Sequence, residues 1–253
     1  MRNNFLPTIS ATAPKHLKSL QRDALFSFLA ENLNVLSEDE AVAVLENPYI
    51  TPKLCGVIAQ TQRLVAFYSV RLRLVAHRQT PQAHAIKLIH YLRWPDLVRL
   101  SVEVTVPPTT RRAIDTLVLT RVAKLTLGEK ISSARRCSAA LIKVFLFDRD
   151  PRVFASLLVN QRLREDDLLL IASSSEATVD KLVILAGDRK WSSRYAVRKA
   201  LVLNPLTPRS IAASQLRFLN RRDLRQIHDN PSTSVYLQRC IERLEPHVAA
   251  IAQ

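Results

Sequence analysis

Residues 195–208, YAVRKALVLNPLTP, recur in degenerate form at residues 68–81 as YSVRLRLVAHRQTP. In the later copy an apolar helical run meets Asn204-Pro205, and proline pushes the residue before it out of the α region, so a helix ends there. Thr207-Pro208 then restarts one, with Thr as the N-cap and Pro at the first helical position, where a missing N–H costs nothing. Laid 127 residues apart without gaps, residues 68–117 and 195–244 share Tyr68/Tyr195, Val70/Val197, Arg71/Arg198, Leu74/Leu201 and Val75/Val202. The match runs on through Thr80-Pro81/Thr207-Pro208, Leu92/Leu219, Asp96-Leu97/Asp223-Leu224, Arg112/Arg239, Ile114/Ile241 and Leu117/Leu244. Most shared positions are apolar or start helices. The duplication therefore marks a structural unit rather than a repeated active site.

The same punctuation recurs elsewhere. NPYITPKLCGVIA from Asn47 reads like NQRLREDDLLLIA from Asn160, and Asn-Pro returns at Asn230-Pro231. Thr51-Pro52 and Thr80-Pro81 are further helix starts; Ser37 to Glu40 and Thr126 to Glu129 are capping boxes. Glu165, Asp166 and Asp167 offset the positive end of another helix. Only 3 glycines stand against 13 prolines, and 47% of residues are hydrophobic. Sheet-rich and nucleotide-binding folds need glycine at tight turns and close phosphate contacts, so the composition favours an all-α chain. Apolar residues at helical spacing predict helices of roughly 8 to 14 residues. Longer ones are expected from Pro14 to Leu36 and from Ser232 to Ile251. A short helix pair cannot bury its apolar face alone, so pairs must stack on neighbours as an α-solenoid. Residues 1–40 read as N-terminal capping helices, 41–245 as degenerate repeats and 246–253 as the end of the last helix.

The phrase from Val197-Arg198 to Pro208 resembles the leucine-rich repeat variant, a helical relative of HEAT repeats, and Asp148-Arg-Asp-Pro-Arg-Val153 resembles a HEAT-type turn and inner helix. The resemblance covers most of residues 41–245 with irregular unit lengths. It implies a right-handed superhelix of short stacked helices and no particular activity. One relative carries an iron–sulfur cluster on a separate cysteine-rich segment; nothing comparable stands here, so no cofactor is carried over.

The formal net charge is +15. Residues 1–60 and 148–190 each sum to −1, whereas 61–147 sum to +11 and 191–253 to +6, the two segments that hold the duplicated unit. Such clustering predicts a basic surface for an acidic partner, nucleic acid foremost. The candidate polyanion-binding residues are Arg71, Arg73, Lys87, Arg93 and Arg99 in the first copy, then Arg111, Arg112, Arg135 and Arg136. Arg194, Arg198, Lys199, Arg221, Arg222 and Arg225 follow in the second. Arginine suits bidentate phosphate contacts. Against this, Arg71 and Arg198 occupy a position expected to bond carbonyls or an acid of an adjacent repeat. An alternative is a protein–protein scaffold whose charge serves solubility.

Enzyme signatures are missing: there is no GxxxxGK[ST], GxGxxG or HExxH, and no i, i+4 histidine pair. Helical-repeat glycosylases for alkylated DNA bases use tryptophans and a carboxylate in a basic groove, which brings Trp94, Asp96 and Trp191 into view. Trp94 and Asp96 would point to different helix faces, however, and Asp96 recurs as Asp223, which favours a helix cap. Cys55, Cys137 and Cys240 are widely spaced, predicting buried free thiols in a reducing compartment and no metal site. No signal-like apolar stretch opens the sequence and none reaches bilayer length, so the expectation is a soluble, cytoplasmic, non-catalytic scaffold.

Overall fold

At several helix starts a side chain replaces a missing backbone partner. The computed structural model describes residues 13–245. Ser37 opens one helix with a reciprocal capping box: its amide donates to Glu40 Oε2 at 2.9 Å, and its hydroxyl oxygen accepts from the Glu40 amide at 3.3 Å. Thr126 and Glu129 form a second box. The Thr51 hydroxyl accepts from the Leu54 amide at 3.4 Å, with Pro52 at the first helical position. Glu165, Asp166 and Asp167 occupy the first turn of their helix.

The chain divides into two compact units, residues 1–123 and 124–253, and each holds one copy of the duplicated segment. The first contains α1 (Ala13–Leu17), α2 (Arg22–Asn32), α3 (Glu38–Leu45), α4 (Pro52–Gln60), α5 (Gln62–Ala66), α6 (Tyr68–Ala76), α7 (Gln82–Ile89), α8 (Trp94–Val102) and α9 (Pro108–Arg121). The second contains α10 (Leu127–Ala134), α11 (Ala139–Leu146), α12 (Pro151–Leu157), α13 (Glu165–Ala172), α14 (Val179–Gly187), α15 (Tyr195–Leu203), α16 (Arg209–Leu216), α17 (Arg221–His228) and α18 (Val235–Leu244). No strand occurs among the described residues. The fold is all-α, built of many short helices.

In the second unit each substantial helix contact joins elements one or two places apart in the chain, as in α11 with α12 and α13, or α16 with α15 and α18. In the first, α3 packs on α1 and α6, α7 on α4, α6 and α9. This neighbour-to-neighbour packing is compatible with a helical repeat. The cores are aliphatic, with Phe145 and Phe154 fully buried in the second unit. Leu216, Leu224, Ile227 and Ile241 close α16, α17 and α18 over one another. Lys181 is also buried, its ammonium donating to the Leu146 carbonyl at 2.8 Å, where it serves as a cap for α11.

Helices end at the asparagines as predicted: α3 before Asn47, α15 before Asn204, α17 before Asn230. The side chain contributes as much as the proline. Asn204 Nδ2 donates to the carbonyls of Ala172 at 2.6 Å and Ser174 at 3.2 Å, while its Oδ1 accepts from the Leu206 amide at 2.9 Å. Asn47 does the same to Leu17, Leu20 and Tyr49, and Asn160 to Ala134, Cys137 and Arg162. All three asparagines are buried. Asn160 is followed by Gln161, so the clamp does not require proline.

Three expectations need correction. The helix expected from Pro14 to Leu36 is broken into α1 and α2, because Asn47 takes the Leu17 and Leu20 carbonyls that a continuous helix would use. The helix expected from Ser232 starts at Val235, since residues 230–233 close a turn in which the Thr233 amide donates to the Asn230 carbonyl at 2.9 Å. Its expected far end, with the rest of 246–253, lies outside the described residues. At Thr80-Pro81 and Thr207-Pro208 the proline, not the threonine, is the N-cap, and the helices start at Gln82 and Arg209. Each threonine closes the preceding turn through its amide, to His77 at 3.2 Å and Asn204 at 3.0 Å, which turns its side chain into the core.

Candidate nucleic-acid interface

The shared tyrosines and aspartates of the duplication are bonded to each other in both copies. Tyr68 donates its hydroxyl to Asp96 Oδ2 and accepts from the Arg93 amide at 3.2 Å. Tyr195 donates to Asp223 Oδ2 and accepts from the Asn220 amide at 3.2 Å. The bond ties the start of α6 to the start of α8 and, in the second unit, the start of α15 to that of α17. This corrects the reading of the two aspartates as helix caps: Asn220 caps α17, accepting from the Asp223 amide at 2.8 Å, and the carboxylates serve the tyrosines. Burial, then the neighbouring aspartate, raises both tyrosine pKa values. The Tyr195 hydroxyl, then Lys199, holds Asp223 below its ordinary value.

Each carboxylate is neutralised differently. Asp96 pairs with Arg99 on its own helix at 3.3 Å, and Asp223 with Lys199 from the facing helix at 2.9 Å. Arg71 and Arg198 bond carbonyls, as expected of that position, but ones only 5 and 6 residues earlier in the chain. Arg71 reaches Ala66 at 3.5 Å and Arg198 reaches Ser192 at 2.6 Å. Arg71 and Arg93 lie 5.5 and 4.7 Å from the Tyr68 ring centre, and Arg198 lies 3.8 Å from that of Phe218.

The starts of α6 and α8 come together at one edge of the first unit and those of α15 and α17 at one edge of the second, here called the start edges. Arg71, Arg93 and Arg99 gather round Tyr68 at the first unit's start edge. At that of the second, Lys199 and Arg222 act on Asp223, and Arg194, Arg198 and Arg221 lie within a turn of the starts of α15 and α17, with Arg225 one turn further along α17. Arg221 is tied to Glu245 at 3.2 Å. Arg194, Arg222 and Arg225 are exposed and have no ion-pair partner among the described residues. The remaining candidates lie elsewhere. Arg73 pairs with Glu46 at 2.6 Å, a carboxylate that Lys18 also holds. Arg111 lines a cavity with Arg78, and Arg112 is exposed beside it in α9. Arg135 and Arg136 sit in the connection that Asn160 clamps, and Lys87 is exposed on α7.

Residue-type reasoning missed Arg217, whose guanidinium lies 4.7 Å from the Phe218 ring, and the exposed aromatics Tyr91 and Phe218. The signal was present: the same 127-residue offset places Tyr91 opposite Phe218. A cavity of about 850 Å³ lies instead between the Asn47 and His77 turns of the first unit. A smaller one of about 200 Å³ lies between the Asn204 and Asn230 turns of the second. Both cavities lie between turns of their own unit.

Of the residues considered for base excision, Trp191 is buried and donates its indole N–H to the Leu158 carbonyl at 3.0 Å, a core role. Asp96 is occupied by Tyr68 and Arg99. Cys55 and Cys137 are buried and Cys240 half-buried, and all three are thiols; burial pushes the Cys55 thiol up to about 11, leaving it protonated and inert. No cluster of His, Cys, Asp or Glu able to hold a metal ion occurs among the described residues, and no helix there is long and apolar enough to cross a membrane. Comparison with protein-family models, with curated proteins and with solved structures finds no match.

Proposed function

We propose that this chain is a non-catalytic α-solenoid, right-handed and of the HEAT-like or leucine-rich-repeat-variant type, that binds nucleic acid along its basic start edges. The observation that carries the reading is the second unit's edge. There Lys199 and Arg222 act on a carboxylate, Asp223, that is buried and already bonded to Tyr195 and Lys199, and Arg194, Arg198, Arg217 and Arg221 lie in or just before α15 and α17. Cations on that edge outnumber the acids able to satisfy them, and a phosphate backbone supplies what is missing. The starts of α15 and α17 add the positive ends of two helix dipoles. The proposed compartment is the cytoplasm, consistent with cysteines that are thiols.

Charge reversal at Arg221→Glu with Arg222→Glu tests this. In a gel shift across a salt series, the wild type should lose affinity steeply between about 50 and 200 mM salt. The double variant should bind ~10-fold or more weakly, with a shallower salt slope. Unchanged affinity would move the interface off this edge, and an absence of binding at low salt would leave the charge to solubility. The second reading, a protein partner, is favoured by the 850 Å³ cavity of the first unit, where Pro48 and Tyr49 are exposed beside the Asn47 turn.

A further inference from the structure

We infer that the acidic partner is single-stranded, its bases stacking on an aromatic–arginine step before α8 and on its counterpart before α17; this rests on the nucleic-acid reading above. Tyr91 is 66% exposed and Phe218 40% exposed, at equivalent positions of the duplicated unit. The core does not need either ring. The residue that follows each, Leu92 or Leu219, is buried and serves the packing instead. Arginines flank both positions, and at Phe218 they lie over the ring itself. Tyr91 shares a cavity of about 300 Å³ with Arg71, and Arg121 donates to the carbonyl of the adjacent His90 at 3.0 Å. Phe218 carries Arg198 at 3.8 Å and Arg217 at 4.7 Å. A planar guanidinium stacked on a ring extends the flat surface and brings a charge that a neighbouring phosphate can use. A duplex keeps its bases stacked on each other and meets a protein largely through phosphates and groove edges, to which an exposed ring adds little. Unpaired bases present their π faces, and every base has one, so such a step grips a single strand with little regard to sequence.

DNA and RNA strands offer the same base faces, so both are probed. Fluorescence anisotropy on the full chain would compare labelled oligothymidine, oligouridine and a hairpin duplex of equal phosphate number, at fixed salt and across a salt series. Single strands should bind more tightly than the hairpin, and whichever of the two binds better names the natural strand. Tyr91→Ala should weaken single-strand binding about tenfold, or ~1.4 kcal/mol, with an unchanged salt slope because the ring carries no charge. Hairpin binding should not change. Phe218→Ala should behave likewise and Phe218→Tyr should restore affinity. Should Phe218→Ala disturb the fold by circular dichroism, Tyr91→Ala alone decides, since Tyr91 is the more exposed of the two. Equal affinity for strand and hairpin, with Tyr91→Ala silent, overturns this inference and leaves the nucleic-acid reading standing. No binding of any probe at about 50 mM salt removes both.

Discussion

Asn204 shows how one side chain can set a helix junction. Its amide nitrogen satisfies two carbonyls from 30 and 32 residues earlier, and its oxygen closes the local turn. Only an amide has both a donor and an acceptor in that geometry. Asn204→Asp keeps the acceptor but sets a carboxylate against two buried carbonyl oxygens, and should cost about 2–3 kcal/mol in urea denaturation. Asn230→Asp is the control. Its oxygen accepts from the Ser232 amide at 2.9 Å and its amide nitrogen donates to no described residue, so the change should stay within ~0.5 kcal/mol. Equal losses at both sites would show that the turn, not the cross-chain clamp, carries the energy. Asn47 and Asn204 were legible as helix ends, through the proline after each. Their second role was not, because the carbonyls they hold lie far away in sequence.

Pairs of elements are held by partners that spacing could pair only once the fold was known. The Tyr68–Asp96 and Tyr195–Asp223 bonds each span 28 residues. Both partners belonged to the shared positions of the duplication, yet nothing in the sequence said they touch. At the end of the second unit α17 and α18 are joined through His228, whose ring nitrogens face Asp229 at 3.1 Å and Glu242 at 3.3 Å. Asp229, opposed by burial and aided by Glu242, raises the His228 pKa above its ordinary value of 6.5. The raised folded-state value means the contact stabilises fully below the unfolded pKa, near 6.5, and fades as pH rises through the folded one. The melting temperature should therefore fall from about pH 6 to about pH 8.5 in the wild type, and the fall should be smaller in His228→Asn. Parallel pH profiles for the two proteins would place the titration elsewhere.

The boundary between the two units falls in a short 3₁₀ turn, Val122–Lys124, in which Ala123 and Lys124 are exposed. Domain boundaries are where native chains open for proteases. Within residues 13–245, limited trypsin digestion should cut first after Lys124, releasing two fragments that mass spectrometry can identify. A first cut inside α15 or α17 would show that the second unit opens before the boundary does. Glycine scarcity, proline punctuation, capping boxes and a 127-residue duplication determined by themselves an all-α chain of short helices, because each is a local rule that a few residues obey regardless of context. Tertiary structure decided where Asn47 breaks the first helix, why Thr80 and Thr207 turn inward, and which arginines are already engaged. It also decided which aromatics stand outside the core. Those outcomes depend on carbonyls, carboxylates and ring faces brought together from distant parts of the chain, and a local pattern holds no record of them.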